Sequence, residues 1–241
     1  MIDAVVFDLG NVLVRWDPAA AFAGVLPDAE VRRFLDDVDF AALNQQQDAG
    51  RPWADARAEV ARRHPEHAAT LDLYVQRFAH ALPGEVPGTA AVVDELRAAG
   101  VRVLGLTNWS AATFHHAVPA APAIGRLEAV VVSGQEGVAK PDPRIFRLLA
   151  SRHHLVPGRT VFTDDSAANV AAADALGYVG VLFTDAEALR GELVARGVLP
   201  GGHGVLPGGR GVLPGGRGTE AQGSGAVPGG RGAVAGGRGT A

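Results

Sequence analysis

Asp8, Thr107, Asn108, Lys140, Asp164 and Asp165 are the residues whose types and spacing could do chemistry. Asp8 closes the apolar run Ala4-Val5-Val6-Phe7, Thr107-Asn108 closes Val103-Leu104-Gly105-Leu106, and Asp164-Asp165 closes Thr160-Val161-Phe162-Thr163. Lys140 stands just before Pro141-Asp142-Pro143, a helix-opening sequence. A β-branched and aromatic run that ends in a carboxylate and then Gly10-Asn11 reads as a buried parallel strand with Asp8 at its carboxyl end. In an open α/β sheet that rim is where ligands bind. Two adjacent carboxylates behind a buried strand are costly unless something positive lies between them. A hard divalent cation, Mg²⁺ above all, meets that need, with Asp8 as a third ligand. Singly, each residue has a plainer reading: Asp8 as a turn residue, Asp164-Asp165 as caps of the helix that starts near Ala167. It is their joint occurrence, in this order, that points to a site.

Such a site needs a sheet to hold it. From residue 89 onward helical and strand patterns alternate: helices over 89–99, 111–117, 143–153, 167–176 and 185–196, and strands over 101–106, 127–132, 159–162 and 178–183. With the first strand, this predicts a parallel sheet covered on both faces and joined by right-handed crossovers. Between the first strand and residue 82 the pattern is helical throughout. Asp17-Pro18 opens it as N-cap and first helical residue, and helices follow over 28–37, 53–63 and 68–82, with 45–51 read as a loop.

Together these residues resemble the motifs of the haloacid dehalogenase-like hydrolase superfamily. The first is Phe7-Asp8-Leu9-Gly10-Asn11-Val12-Leu13, the second Thr107-Asn108, the third Lys140 with Pro141, the fourth Asp164-Asp165 with Asn169. The resemblance covers residues 1–196. It implies a Rossmann-like α/β core with a five-stranded parallel sheet of order 5-4-1-2-3, built from 1–16 and 86–196, and a helical cap over 17–85. By the same resemblance Asp8 is the nucleophile of a phosphatase acting on a small phosphorylated metabolite. Mg²⁺ would be held by Asp8, the Gly10 carbonyl, Asp164 and Asp165. Lys140 would balance the carboxylates and Thr107 would bind phosphoryl oxygens. Asn108, Asn11, Trp109 and Arg51 are candidate substrate contacts.

One departure stands out. Phosphatases of this superfamily usually carry a second Asp two residues after the nucleophile as general acid and base, and here that position is Gly10. An anomeric phosphate, which leaves easily, would need that acid less, and the Asp-Leu-Gly-Asn-Val pattern resembles a subgroup that includes sugar-1-phosphate phosphatases. Asp17 could substitute as acid or simply cap its helix. The alternatives are a metal-independent 2-haloacid dehalogenase, which also lacks the second Asp, and a non-catalytic protein on the same scaffold. The paired acids Asp164-Asp165 favour the phosphatase.

Composition narrows the classes further. The chain has 241 residues, 47% of them hydrophobic, a formal net charge of −4 and no cysteine. Thiolate catalysis, disulfides and Cys-bound zinc are excluded. No basic block before residue 197 suggests nucleic acid, no run is long enough for a membrane span, and no signal-like segment opens the chain, so a cytoplasmic protein is expected. The histidines show no metal-ligand spacing. Beyond residue 196 the motif GVLPGG recurs with His or Arg after it, at Gly197, Gly204 and Gly211. This Gly/Pro-rich tail over 197–241 is expected to be disordered. Its arginines could meet a polyanion, although a tail without function is the simpler reading.

Overall fold

Strand β1 (Ala4–Phe7) is buried from end to end and lies at the centre of the sheet. The computed structural model describes residues Met1–Gly201, and the expected disorder of the tail falls outside them from residue 202 on. Five parallel strands run in the order β3-β2-β1-β4-β5, which is the expected order met from the opposite edge. They are β1, β2 (Arg102–Thr107), β3 (Val130–Val132), β4 (Thr160–Asp164) and β5 (Val179–Leu182).

Alternation along the strands divides the core in two. Val5, Phe7, Val103 and Val161 face one side, with Val92, Val93 and Leu96 of one helix and Leu189 and Leu193 of another. Ala4, Val6, Leu104, Leu106 and Phe162 face the other, against Ile145, Phe146 and Leu149. Covering both faces is what allows these strands to be apolar throughout.

Helices α1 (Asp28–Asp37), α2 (Phe40–Asp48), α3 (Trp53–Arg63) and α4 (Ala68–Gln76) are inserted between β1 and β2. They gather on an aromatic cluster of Phe22, Phe34, Phe40, Trp53, Tyr74 and Phe78, in which the Phe40 and Tyr74 rings meet edge-on at 4.8 Å. Helices α5 (Thr89–Ala98), α6 (Ala117–Ala120), α7 (Ser133–Glu136), α8 (Pro143–His153), α9 (Ala167–Ala175) and α10 (Ala186–Ala195) belong to the sheet region.

Several local readings need correction. The segment read as a loop over 45–51 is largely helix α2, whose Asp39 N-cap accepts the Ala42 N–H. The helix expected over 68–82 stops at Gln76 and resumes as a 3₁₀ turn, Phe78–Ala81. Arg77, at that break, donates to the Ala21 and Ala23 carbonyls and ties the two segments together. Pro18–Phe22 is likewise a 3₁₀ turn. The helix expected over 111–117 becomes turns and a 3₁₀ stretch, Phe114–His116, before α6. Val198 and Leu199, assigned by sequence to the tail, are buried against the end of α10, with both N–H groups directed to the Leu193 carbonyl. Among the described residues no helix is long and apolar enough to cross a membrane.

Candidate active site

Strand register brings the carboxylates together. Phe7 is aligned with Thr163 on one side and Gly105 on the other. One residue further, Asp8 therefore stands beside Asp164, and Thr107 closes β2 on the same rim. After Asp8 the chain doubles back sharply: the N–H groups of Val12, Leu13 and Val14 all converge on the Leu9 carbonyl. Asn11 takes the left-handed conformation this bend requires, at φ 56°, which Asn tolerates better than most residues.

Lys140 is the cation at the centre. Its Nζ lies 2.8 Å from Asp8 Oδ1 and 2.6 Å from Asp164 Oδ2, and donates to the Leu106 carbonyl at 2.8 Å. Lys140 is 2% exposed, Asp164 0% and Asp8 8%, so the group sits almost wholly out of water. Burial weighs most on the Lys140 ammonium, yet Asp8 and Asp164 more than offset it and hold its pKa above the ordinary value. Asp8 is pushed up to about 6, first by burial and then by the Asp164 charge, with Lys140 pulling it back. Asn108 fixes the lysine's backbone from both sides: its Nδ2 donates to the Lys140 carbonyl at 2.9 Å and its Oδ1 accepts the Lys140 N–H at 2.8 Å. Asp164 is held in turn by the Ser166 N–H and by Asn169 Nδ2.

Oxygens of Asp8, Asp164 and Asp165 all lie within 4.8 Å of one another. The cluster has three carboxylates, of which the Lys140 ammonium pairs with Asp8 and Asp164, and Asp165 remains accessible. Burial and the Asp164 charge raise the Asp165 pKa, while an Asn11 side-chain bond lowers it. An all-oxygen, charge-rich donor set of this kind fits a hard cation such as Mg²⁺. Thr107 Oγ1 is buried and has no hydrogen-bond partner among the described residues, which leaves a hydroxyl free for a ligand oxygen.

Beside this cluster lies an open cleft. Gly10, Trp16, Asn44, Asp48, Asn108 and Trp109 are among its walls. The family model of haloacid dehalogenase-like hydrolases matches residues 2–177, a span that holds Asp8, Thr107, Lys140 and Asp164-Asp165. The chain belongs to the haloacid dehalogenase-like hydrolases.

Within this family the chain is similar to sesquiterpene phosphatase astK of Aspergillus oryzae, at 27% identity over 195 residues, covering 79% of this chain and 94% of that one. A HAD family enzyme of Bacteroides thetaiotaomicron, solved in complex with magnesium and inorganic phosphate, superposes with a TM-score of 0.60 at 21% identity, over 77% of this chain and 96% of that one. L-2-haloacid dehalogenase of Xanthobacter autotrophicus, solved with chloropropionic acid covalently bound, gives 0.56 at 20% identity over 83% and 85%. At these identities the two solved structures speak to the fold.

The candidate hydrolase residues separate into three groups. Asp8, Thr107, Lys140, Asp164 and Asp165 converge, and Gly10, Asn108 and Trp109 reach the cleft wall. Asn11 does not line it; its Oδ1 accepts the Trp16 N–H at 3.0 Å, and its side chain bonds Asp165. Arg51 does not line it either, because Glu59 at 2.8 Å, Gln46 and the Asp55 carbonyl occupy its guanidinium. Asp17 is a cap, its carboxylate accepting the Ala19 N–H at 2.9 Å.

Asp48, at the end of α2, is the wall residue that sequence reasoning missed. Its carboxylate accepts from Asn44 Nδ2 at 2.9 Å and from the Ser110 backbone. Its carbonyl accepts the buried Ser133 hydroxyl at 2.5 Å, and Ser133 Oγ also accepts the Trp109 N–H at 2.9 Å. Gly134 makes this junction possible: a Cβ there would lie 2.5 Å from the Ala111 nitrogen and 2.6 Å from the Trp109 oxygen.

Proposed function

We propose that this hydrolase is a Mg²⁺-dependent phosphatase of a small phosphomonoester, a sugar phosphate being one candidate. The observation that carries the reading is the clustering of three carboxylates, Asp8, Asp164 and Asp165, of which only Asp8 and Asp164 pair with the Lys140 ammonium. Their excess negative charge suits a divalent cation, and the chemistry of a phosphoryl group needs one. Asp8, Asp164 and Asp165 would hold Mg²⁺, with the Gly10 carbonyl as the expected backbone ligand. When bound, the ion neutralises charge on the phosphoryl oxygens.

The chain's own groups do the rest. Lys140 keeps Asp8 ionised, and with a pKa of about 6 the carboxylate is available at neutral pH. An Asp8 oxygen attacks phosphorus and expels the ester oxygen, giving an acyl phosphate on Asp8. Thr107 Oγ1 donates to a phosphoryl oxygen. Asn108 holds the Lys140 backbone in place, and Trp16 and Trp109 shield the reacting centre. Water then hydrolyses the acyl phosphate and returns Asp8.

The competing reading is a metal-independent 2-haloacid dehalogenase, in which Asp8 attacks carbon. Gly10 favours it to this extent: a departing halide needs no proton. A panel of phosphorylated metabolites, assayed for phosphate release with Mg²⁺ and with EDTA, separates the two. Mg²⁺-dependent release that disappears in Asp8→Asn supports the phosphatase. Halide release from 2-haloacids in EDTA supports the dehalogenase, and turnover of neither class supports a non-catalytic protein.

A further inference from the structure

A departing ester oxygen must gain a proton, and the water that cleaves the acyl phosphate must lose one. Gly10 has no side chain that could serve either step. Building on the phosphatase reading above, we propose that Asp48, brought in by the inserted helix α2, is the general acid and base of this site. In the first step the Asp8–phosphorus bond forms, the ester P–O bond breaks, and the Asp48 carboxyl proton passes to the leaving oxygen. In the second a water oxygen bonds phosphorus, the Asp8–phosphorus bond breaks, and the water proton returns to the Asp48 carboxylate.

Geometry supports the assignment in three ways. Asp48 lines the same cleft as Gly10, whose missing side chain it would replace. Its position is fixed at both ends, by Asn44 and the Ser110 backbone at the carboxylate and by Ser133 at the carbonyl. Through Ser133 it is coupled directly to the backbone of Trp109, next to Thr107-Asn108. A merely solvated surface carboxylate would need none of this anchorage.

Its surroundings also suit proton transfer. Burial among Trp16, Phe78 and Trp109 raises its pKa to about 7, the Ser110 bond lowers it, the Asp8 charge raises it and Lys140 lowers it. From α4 the Tyr74 phenol also lies within its electrostatic reach. Both protonation states are therefore populated near neutrality, which is what an acid that must later act as base requires.

A leaving-group series tests the role. kcat/KM reports events up to the first irreversible step, and so isolates leaving-group departure from the later hydrolysis. Wild type, Asp48→Asn and Asp48→Glu are compared with Mg²⁺ on para-nitrophenyl phosphate, whose phenolate leaves unaided, and on a simple alkyl phosphate, whose alkoxide does not. Asp48→Asn is expected to lose about 10²-fold or more on the alkyl ester and less than about 5-fold on the nitrophenyl ester. The decline of wild-type alkyl-ester kcat/KM above a pH of about 7 should vanish with it. Asp48→Glu, with its carboxyl displaced by one methylene, should show an intermediate leaving-group dependence, and it carries the test if Asp48→Asn does not fold. Equal losses on both esters, with the alkaline decline retained, would overturn the role and make Asp48 an anchor of α2. Failure of the wild type to release phosphate from either ester or from the metabolite panel would overturn the phosphatase reading itself, and this role with it.

Discussion

Lys140→Met tests the electrostatic logic of the site. The substitution keeps the length and most of the apolar stem of the side chain but removes the one ammonium between Asp8 and Asp164. Lys140 is 2% exposed, and its three acceptors lie at 2.6–2.8 Å. Removing one partner of a buried ion pair costs about 3–5 kcal/mol, because the remaining charges stay buried without compensation. Asp164 keeps its bonds from Ser166 and Asn169, which favours the lower half of that range. With a urea m-value of about 2 kcal/mol per molar, the unfolding midpoint should fall by about 1.5–2 M. The assay is urea unfolding followed by tryptophan fluorescence in EDTA, at pH 7.5 and at pH 5. Without the ammonium, Asp8 loses the pull that offsets its burial, so its pKa in the folded protein rises further above the ordinary value. A raised folded pKa gives stability that is present at acid pH and lost as pH rises through it, so the deficit should be largest at pH 7.5 and shrink at pH 5. Lys140, with its own pKa raised, contributes evenly across this window. Added Mg²⁺ should restore part of the loss. A midpoint shift under about 0.5 M, or a deficit equal at the two pH values, would refute the view that Lys140 holds the carboxylates in place.

Three further outcomes follow from individual contacts. Thr107→Val should leave the unfolding free energy within about 1 kcal/mol of wild type, since the lost hydroxyl has no partner among the described residues. Its kcat/KM for a phosphate ester should fall about 10–100-fold, the worth of one hydrogen bond to a charged group; unchanged kinetics would remove Thr107 from phosphoryl binding. Gly134→Ala sets a methyl against the Trp109 and Ala111 backbones, and overpacking of this kind should cost about 1–3 kcal/mol, or about 2–12 °C in Tm; an unchanged Tm would show that the junction yields freely. Asp48, with its pKa raised from 3.8 to about 7, should make the protein lose stability as pH rises from about 4 to about 7, by at most about 4 kcal/mol. Asp48→Asn should flatten that part of the Tm–pH profile and be more thermostable than wild type at pH 8; a parallel profile would contradict the burial of the charge.

Asp8, Lys140 and the paired acids Asp164-Asp165 were legible because each ends an apolar strand or stands in a loop on the same rim. In a parallel sheet, strand order and register alone bring such ends together, and Asp8 beside Asp164 needs nothing else. Asp48 was hidden because its environment comes from Trp16, Phe78, Trp109, Ser110 and Ser133, which no local pattern links to it. Helix α2 was obscured too: Phe40, Leu43 and Gln47 are its buried residues, and the run Asn44-Gln45-Gln46-Gln47-Asp48 reads as solvated turn. Arg51 shows the opposite error. Its charge type suited the expected anionic substrate, but Glu59, from the following helix, captures it. Asn11 carries a polar side chain at the right place in the chain, and the bend after β1 turns that side chain to the Trp16 backbone and Asp165.

Val198 and Leu199 have a consequence for how this gene can change. They pack against the end of α10, and they are also the Val-Leu pair of the first GVLPGG unit, repeated as Val205-Leu206 and Val212-Leu213. Replication slippage that removes or adds a whole seven-residue unit restores Gly-Val-Leu-Pro directly after Arg196. Loss of 198–200 instead would put glycines where the two apolar side chains now pack. Changes by whole seven-residue units at this point therefore keep a Val-Leu pair where the end of α10 needs it, whereas loss of 198–200 would uncover that part of the core.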